Sequence, residues 1–236
     1  AEMLAANGGS LEGKTCLVSG SGNVAQYTIE KLIELGARPV TVSDSGGFIY
    51  DPEGINRAKL DFVMGLKNER RGRISEYADQ YPNATFTPCD ASATSNPLWA
   101  IPADCAFPSA TQNEINGADA MMMVQNRVGV VSEGANMPTT PEGQAIFREH
   151  GLLYGPGKAA NAGGVAVSAL EMAQASSRSF WSREEVDSRL QKIMSDIHRN
   201  CVDAATAYGC EGDYLHGANI AGFLKVARAM HDQGVI

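Results

Sequence analysis

The chain has 236 residues, 44% of them hydrophobic, 25 glycines and a formal net charge of −8. That length suits one large α/β domain. An acidic chain gives phosphodiester backbones little to hold, which argues against a nucleic-acid partner, and no apolar run approaches the roughly 20 residues needed to span a bilayer, so no membrane partner is expected.

The first residues, Ala1–Asn7, read as the last turns of a helix; with no initiating Met, the chain reads as a piece of something longer. They lack the basic end and long apolar core of a signal peptide. Beyond them, short β-branched runs alternate with helical patterns. Strands are expected at Thr15–Ser19, Pro39–Ser43, Ala84–Thr87, Asp104–Phe107, Val128–Ser132 and Leu152–Tyr154. Helical segments between them include Asn23–Leu35, Asn56–Gly65 and Pro141–His150. This alternation favours an α/β fold built on a doubly wound, mainly parallel Rossmann-type sheet with right-handed crossovers. From residue 165 to 236 the pattern is almost wholly helical, a C-terminal helical layer on a single dinucleotide-binding domain covering 1–236. Ser182 and Glu185 have capping-box spacing. Apolar stripes follow at Val186, Leu190, Ile193, Met194 and Ile197, and at Ile220, Phe223, Leu224, Ala227 and Met230, as for core-facing helices.

Five cysteines, Cys16, Cys89, Cys105, Cys201 and Cys210, are odd in number and show no CxxC spacing. They read as free thiols, three of them buried, in a reducing cytosol. The four histidines are scattered, no His-carboxylate or Cys-His pair lies at ligand or nucleophile spacing, and no metal site is expected.

The strongest local signal is Leu17-Val-Ser-Gly20-Ser-Gly22-Asn-Val-Ala25, an apolar strand running into G-x-G-x-x-A and an amphipathic helix. Gly20 permits the tight turn, Gly22 lets backbone approach a pyrophosphate, and Ala25 keeps helix and strand close, while the helix N-terminus supplies amides and positive dipole. About 20 residues on, the next strand ends at Asp44-Ser45-Gly46-Gly47. Asp44 stands where NAD enzymes meet the adenosine ribose, whereas Ser45 is a neutral donor suited to a phosphate. Lys67-Asn-Glu-Arg70-Arg71-Gly-Arg73 is the densest basic stretch and suits a ribose 2′-phosphate, although a solvated helix face would look the same. Three polar segments follow later strands: Ser109–Asn113, Glu133–Pro138 and Gly155–Gly164. Each offers small residues and amides at the sheet edge where α/β ligands lie, and each also carries ordinary turn chemistry.

At these segments the chain resembles the glutamate dehydrogenases. SGSGNVAQY, SDSGG, PSATQN, EGANMPTT, PGKAANAGGVAVSALEM and GANIAGF occur in that family's order and approximate spacing, covering essentially the whole chain. The closest likeness is to the coenzyme-binding half of the hexameric, NADP-dependent members. The resemblance implies that Ser21, Asn23 and Val24, in the loop of Gly20 and Gly22, hold the pyrophosphate, and that Ser45, Lys67 and Arg70 grip the 2′-phosphate of NADP. Asp44 leaves NAD or dual use open. Thr111 and Gln112 would lie along the cofactor, Asn136 near the nicotinamide ribose and Asn161 at the carboxamide. Val165 and Ser168 match positions meeting the substrate's side-chain carboxylate. The family's catalytic lysine and aspartate belong to an N-terminal substrate domain ahead of this sequence, so no catalytic residue is expected here.

The implied activity of the parent, a cytoplasmic homo-hexamer, is interconversion of L-glutamate with 2-oxoglutarate and ammonia. Two alternatives stand beside it: an NAD-dependent leucine, phenylalanine or valine dehydrogenase domain, and a non-catalytic NADP(H)-binding module. Ser168 argues mildly against the first, which needs an apolar pocket.

Overall fold

A computed structural model describes residues 1–90 and 92–234. The elements, in order, are α1 (Glu2–Ala6), β1 (Thr15–Val18), α2 (Asn23–Glu34), β2 (Arg38–Pro39), β3 (Thr41–Asp44), β4 (Gly47–Tyr50), α3 (Arg57–Met64), α4 (Glu76–Gln80), β5 (Thr85–Pro88), β6 (Cys105–Phe107), α5 (Gly117–Gln125), β7 (Val130–Ser132), α6 (Pro141–Glu149), β8 (Leu153–Gly155), α7 (Gly157–Ala160), α8 (Ala162–Ser177), α9 (Arg183–Ala207) and α10 (Tyr214–Gln233). Residues up to Leu153, Glu2 excepted, form one compact unit; Glu2 and the residues from Tyr154 form a second.

The first unit is α/β, as expected. Its five-stranded sheet has the order β2-β1-β6-β7-β8, with β1 parallel to β2 and β6, and β6 parallel to β7. β1 lies inside the sheet, and its Cys16, Leu17 and Val18 are fully buried, as a strand covered on both faces requires. α2 turns Ala25, Ile29 and Leu32 inward at helical spacing. Burial of such aliphatic side chains contributes about 1.5–3 kcal/mol each.

One expected strand is two. The Pro39–Ser43 run splits at Val40: Pro39 pairs with Cys16 in the parallel sheet, while Thr41–Asp44 pairs antiparallel with β4. The cause is visible in the side chains. Thr41 Oγ1 accepts from the Val18 amide at 2.8 Å and donates to the Val18 carbonyl at 3.0 Å, so a hydroxyl replaces the backbone ladder and frees β3 to turn away. The Ala84–Thr87 run was expected in the parallel sheet; as β5 it instead pairs antiparallel with β4, in a separate sheet of order β3-β4-β5. β4 was not expected at all. Its Phe48-Ile49-Tyr50 is short and follows two glycines, which read as a strand's end. Gly47 has φ +151°, and a Cβ there would collide with the Thr87 carbonyl, so glycine is what lets β5 close on β4.

Asn56 caps α3 by accepting from the Lys59 amide at 3.0 Å. The helix ends a residue early, passing into a π-helical turn, Gly65–Glu69. Behind it, Lys59 is buried: its ammonium donates to Asp51 at 2.8 Å, to Glu53 at 3.2 Å and to the Gly54 carbonyl at 3.2 Å. The Tyr77 hydroxyl donates to the same Asp51 oxygen at 2.7 Å, so the buried carboxylate is fully partnered.

The second unit is helical apart from the end of β8. Ser182 Oγ accepts from the Glu185 amide at 3.2 Å and caps α9. α9 and α10 approach closely, because a Cβ on Gly217 would collide with the Cys201 carbonyl. The expected stripe on α10 divides: Ile220, Leu224 and Ala227 are half-buried, while Phe223 and Met230 are exposed, so that stripe does not all face core. All five cysteines are free, with Cys16, Cys105 and Cys201 buried. Among the described residues no helix is long and apolar enough to cross a membrane.

Candidate functional site

β1 ends at Val18, and the chain turns through Ser19–Gly22 into α2. Gly20 has φ +84°, a left-handed conformation, and a Cβ there would lie 2.8 Å from the Ser109 carbonyl. Both facts demand glycine. Gly22 differs: a Cβ there would meet nothing within 4 Å, so this face of the turn is open to a ligand. Gly22 is the N-cap of α2 and no side chain caps that end. The first-turn amides of a helix lack intrahelical acceptors and favour an anion. Asn23 and Val24 are exposed at that end, while Ser21 and Ala25 are buried. Ser21 thus offers its backbone more readily than its side chain.

The loop is held by hydroxyls. Ser43 Oγ accepts from the Gly20 amide at 2.7 Å, and the Ser43 amide donates to the Gly20 carbonyl at 3.0 Å, placing the end of β3 beside the glycine turn. Ser19 Oγ accepts from the Ser109 amide at 2.8 Å, drawing in the segment after β6. That segment in turn meets the one after β7: the Gly134 and Ala135 amides both donate to the Pro108 carbonyl. A Cβ on Gly134 would stand 2.7 Å from Ser109 Oγ and 2.9 Å from a Val24 methyl. The structure thus gathers Gly20–Val24, Ser109–Gln112 and the Glu133–Asn136 loop at one edge of the parallel sheet. Thr111, Gln112 and Asn136 are exposed there. Glu114 fastens the first of these loops by accepting from the Ala110 and Thr111 amides at 3.0 and 3.3 Å. Burial pushes the Glu114 carboxyl up, against the bonds it accepts from Ser19 and these two amides.

At the end of β3, Asp44 is nearly buried and its oxygens are engaged. Oδ2 accepts from Lys67 Nζ at 3.0 Å and from the Ile74 amide at 3.0 Å; Oδ1 accepts from the Gly46 amide at 2.8 Å. Burial alone would raise its pKa, but the Ile74 amide, Lys67 and the Gly46 amide together hold it below the ordinary carboxylate range. Lys67 also donates to the Gly72 carbonyl at 2.9 Å. Ser45 Oγ accepts from Arg73 at 2.8 Å. Arg70 lies elsewhere, over the Phe62 ring at 5.2 Å and 3.7 Å from Glu76. The guanidinium beside Ser45 is therefore that of Arg73, which the sequence placed in the basic stretch without singling out. A cavity of about 220 Å³ opens beside this corner, lined by Asp44, Phe48, Pro88, Asn96 and Glu114 among others.

In the second unit, Asn161 joins α7 to α8 and is half-buried. Val165 and Ser168 are exposed on the first turns of α8, three residues apart and so on one face. Ser168 Oγ donates to the Gly164 carbonyl at 3.2 Å. Sequence reasoning missed Thr41 and Ser43, whose hydroxyls fasten the end of β3 to Val18 and the glycine turn. The alternation Thr41-Val-Ser43, polar in a strand next to a glycine loop, was the available signal.

A profile of the glutamate/leucine/phenylalanine/valine dehydrogenases matches residues 1–234. The chain belongs to this family. It is similar to the glutamate dehydrogenase of Bacteroides thetaiotaomicron, 56% identical over an alignment of 239 positions that covers all of this chain and 51% of the relative. The NADP-specific glutamate dehydrogenase of Haemophilus influenzae is 51% identical over 234 residues, 99% of this chain and 51% of that protein. Among solved structures, Plasmodium falciparum glutamate dehydrogenase superposes with a TM-score of 0.94 at 42% identity, covering all of this chain and 49% of the other. The chain thus spans about half the length of the dehydrogenases it matches. At 22% identity and a TM-score of 0.74, the Peptoniphilus asaccharolyticus enzyme shares the fold.

Proposed function

We propose that this chain is the coenzyme-binding domain, with its helical extension from residue 165, of an NADP-dependent glutamate dehydrogenase. The observation that carries the cofactor reading is the state of Asp44. An NAD enzyme keeps the acidic side chain at this position for the ribose diol. Here the carboxylate is taken up by Lys67 and two backbone amides, while Ser45, Lys67 and Arg73 bring donors and positive charge to the same corner. Such donors suit a 2′-phosphate. The printed names of the relatives, glutamate dehydrogenases and among them NADP-specific ones, support the same reading.

In this arrangement the amides of Asn23 and Val24 and the open face of Gly22 take the pyrophosphate. Asp44 and Phe48 border a cavity that would take the adenosine half. Ser45, Lys67 and Arg73 would hold the 2′-phosphate, while Arg70, over the Phe62 ring, stands apart from them. Thr111, Gln112 and Asn136 line the path toward the nicotinamide, and Asn161 takes its carboxamide. Bound NADP supplies the hydride chemistry; the residues of this chain supply position and electrostatics. Val165 and Ser168 face glutamate, and the acid–base groups come from the remainder of the enzyme. The homo-hexameric assembly and cytoplasmic location of that enzyme belong to the same proposal.

The test is to join this chain to the N-terminal half of the Bacteroides thetaiotaomicron relative and follow NADPH consumption with ammonia and a panel of 2-oxo acids. Turnover confined to 2-oxoglutarate is expected. Preference for the oxo acids of leucine, phenylalanine or valine, or for NADH, would overturn the proposal.

A further inference from the structure

The two anion-binding features of the site are tied to each other by one pair of amides. Gln26, almost wholly buried on α2, donates from Nε2 to the Ser21 carbonyl of the glycine turn at 2.8 Å. The same Nε2 donates to Asn68 Oδ1 at 3.1 Å, and Asn68 Nδ2 donates back to Gln26 Oε1 at 3.0 Å. The Ser21 carbonyl fixes which end of the Gln26 amide faces it, and the reciprocal pair then fixes the Asn68 amide. Asn68 lies in the π-helical turn Gly65–Glu69, next to Lys67. A π-turn shifts the side chains of its residues relative to an α-helix and is frequent where a functional group must be aimed. This one closes with the Arg70 amide on the Gly65 carbonyl, and Arg71 follows at φ +53°. On its inner side the turn is anchored by buried Leu66; on the glycine-loop side it is anchored by Asn68.

We propose that Asn68 is a positioning residue for cofactor choice: its amide pair with Gln26 sets the turn that carries Lys67 at a fixed spacing from the pyrophosphate turn. In NADP the 2′-phosphate and the pyrophosphate sit on one ribose, so their separation is confined by covalent geometry. A cation held loosely meets the 2′-phosphate in only a fraction of its orientations, and that fraction divides the affinity. NAD lacks the 2′-phosphate and does not sense the spacing. This inference rests on the NADP reading above.

The test is calorimetric titration of the chain with NADPH and with NADH, for wild type, Asn68→Ala, Lys67→Ala and the double variant. Asn68→Ala is expected to weaken NADPH by roughly tenfold and NADH by less than about twofold, since one tethered charge-assisted contact is at stake. Its melting temperature should stay within a few degrees of wild type, because Asn68 is exposed on its outer side. In the Lys67→Ala background the same change should cost NADPH less than about twofold, the non-additivity expected of two residues acting through one contact. Equal losses for both cofactors, or a full tenfold loss in the Lys67→Ala background, would overturn the proposal. A wild-type chain with no preference for NADPH would overturn the cofactor reading and this inference with it.

Discussion

Two glycines two residues apart should respond to substitution in opposite ways. At Gly20, φ is +84° and a Cβ would lie 2.8 Å from the Ser109 carbonyl, well inside contact distance. An L-residue held in the left-handed region costs about 1–2 kcal/mol, and displacing the Ser109 backbone adds a comparable amount, since that segment is itself bonded to Ser19. Gly20→Ala should therefore destabilise by about 2–4 kcal/mol, lowering the melting temperature by roughly 4–16 °C at this chain length. Gly22 has φ −82°, and a Cβ there meets open space. Gly22→Leu exchanges a tolerable N-cap for a poor one and should cost no more than about 1 kcal/mol. Its isobutyl group, however, stands where the pyrophosphate must approach the Asn23 and Val24 amides, so NADPH affinity should fall by two orders of magnitude or more. Thermal denaturation and calorimetric titration of the two variants separate the effects. A Gly22→Leu chain that folds and binds NADPH like wild type would refute the assignment of this turn. A Gly20→Ala chain as stable as wild type would refute the steric reasoning.

Lys67→Ala should weaken NADPH by about 1–3 kcal/mol and leave NADH nearly unchanged, by the same titration, because it removes a charge from the 2′-phosphate corner. Lys59→Met should destabilise by about 3–5 kcal/mol in urea denaturation, since it leaves Asp51, 1% exposed, as an unpaired buried charge. The pKa of His198 is lowered by burial, and its Nε2 is buried with no hydrogen-bond partner among the described residues, so the folded chain resists its protonation. The unfolded chain takes up the proton first as pH falls below about 6.5, and stability is lost across that range toward the lower folded value. Melting curves of His198→Phe between about pH 7 and 5 should be flatter than those of wild type; an unchanged slope would place the acid sensitivity elsewhere.

Much of the parallel sheet was legible because its signals are local. Buried β1 reads as Thr-Cys-Leu-Val, and Gly20, Gly22 and Ala25 mark the turn and the helix whose Ile29 and Leu32 continue its apolar face. The second sheet was not legible, because what builds it is not periodic. Thr41 leaves the parallel ladder through a hydroxyl bond to Val18, a contact 23 residues distant that no hydrophobic pattern encodes. β4 has four residues and begins at a glycine whose reason is the Thr87 carbonyl on another strand. The site shows the same division. The order of the loop segments at the sheet edge can be read along the chain, but the partner of each charge cannot: Lys67, Arg70 and Arg73 look alike in sequence, and only packing sends them to Asp44, Phe62 and Ser45 respectively. The π-turn Gly65–Glu69, which carries Lys67, is likewise invisible in a window that reads as one continuous helix.

Whether this α/β unit is built for NADP is read from the ratio of dissociation constants for NADPH and NADH, measured on the unmodified chain by titration at moderate ionic strength. NADPH should bind tighter by at least about tenfold, with the difference shrinking as salt screens Lys67 and Arg73. Equal affinity, or tighter binding of NADH, would show that Asp44 keeps its carboxylate for the ribose and would contradict the NADP reading.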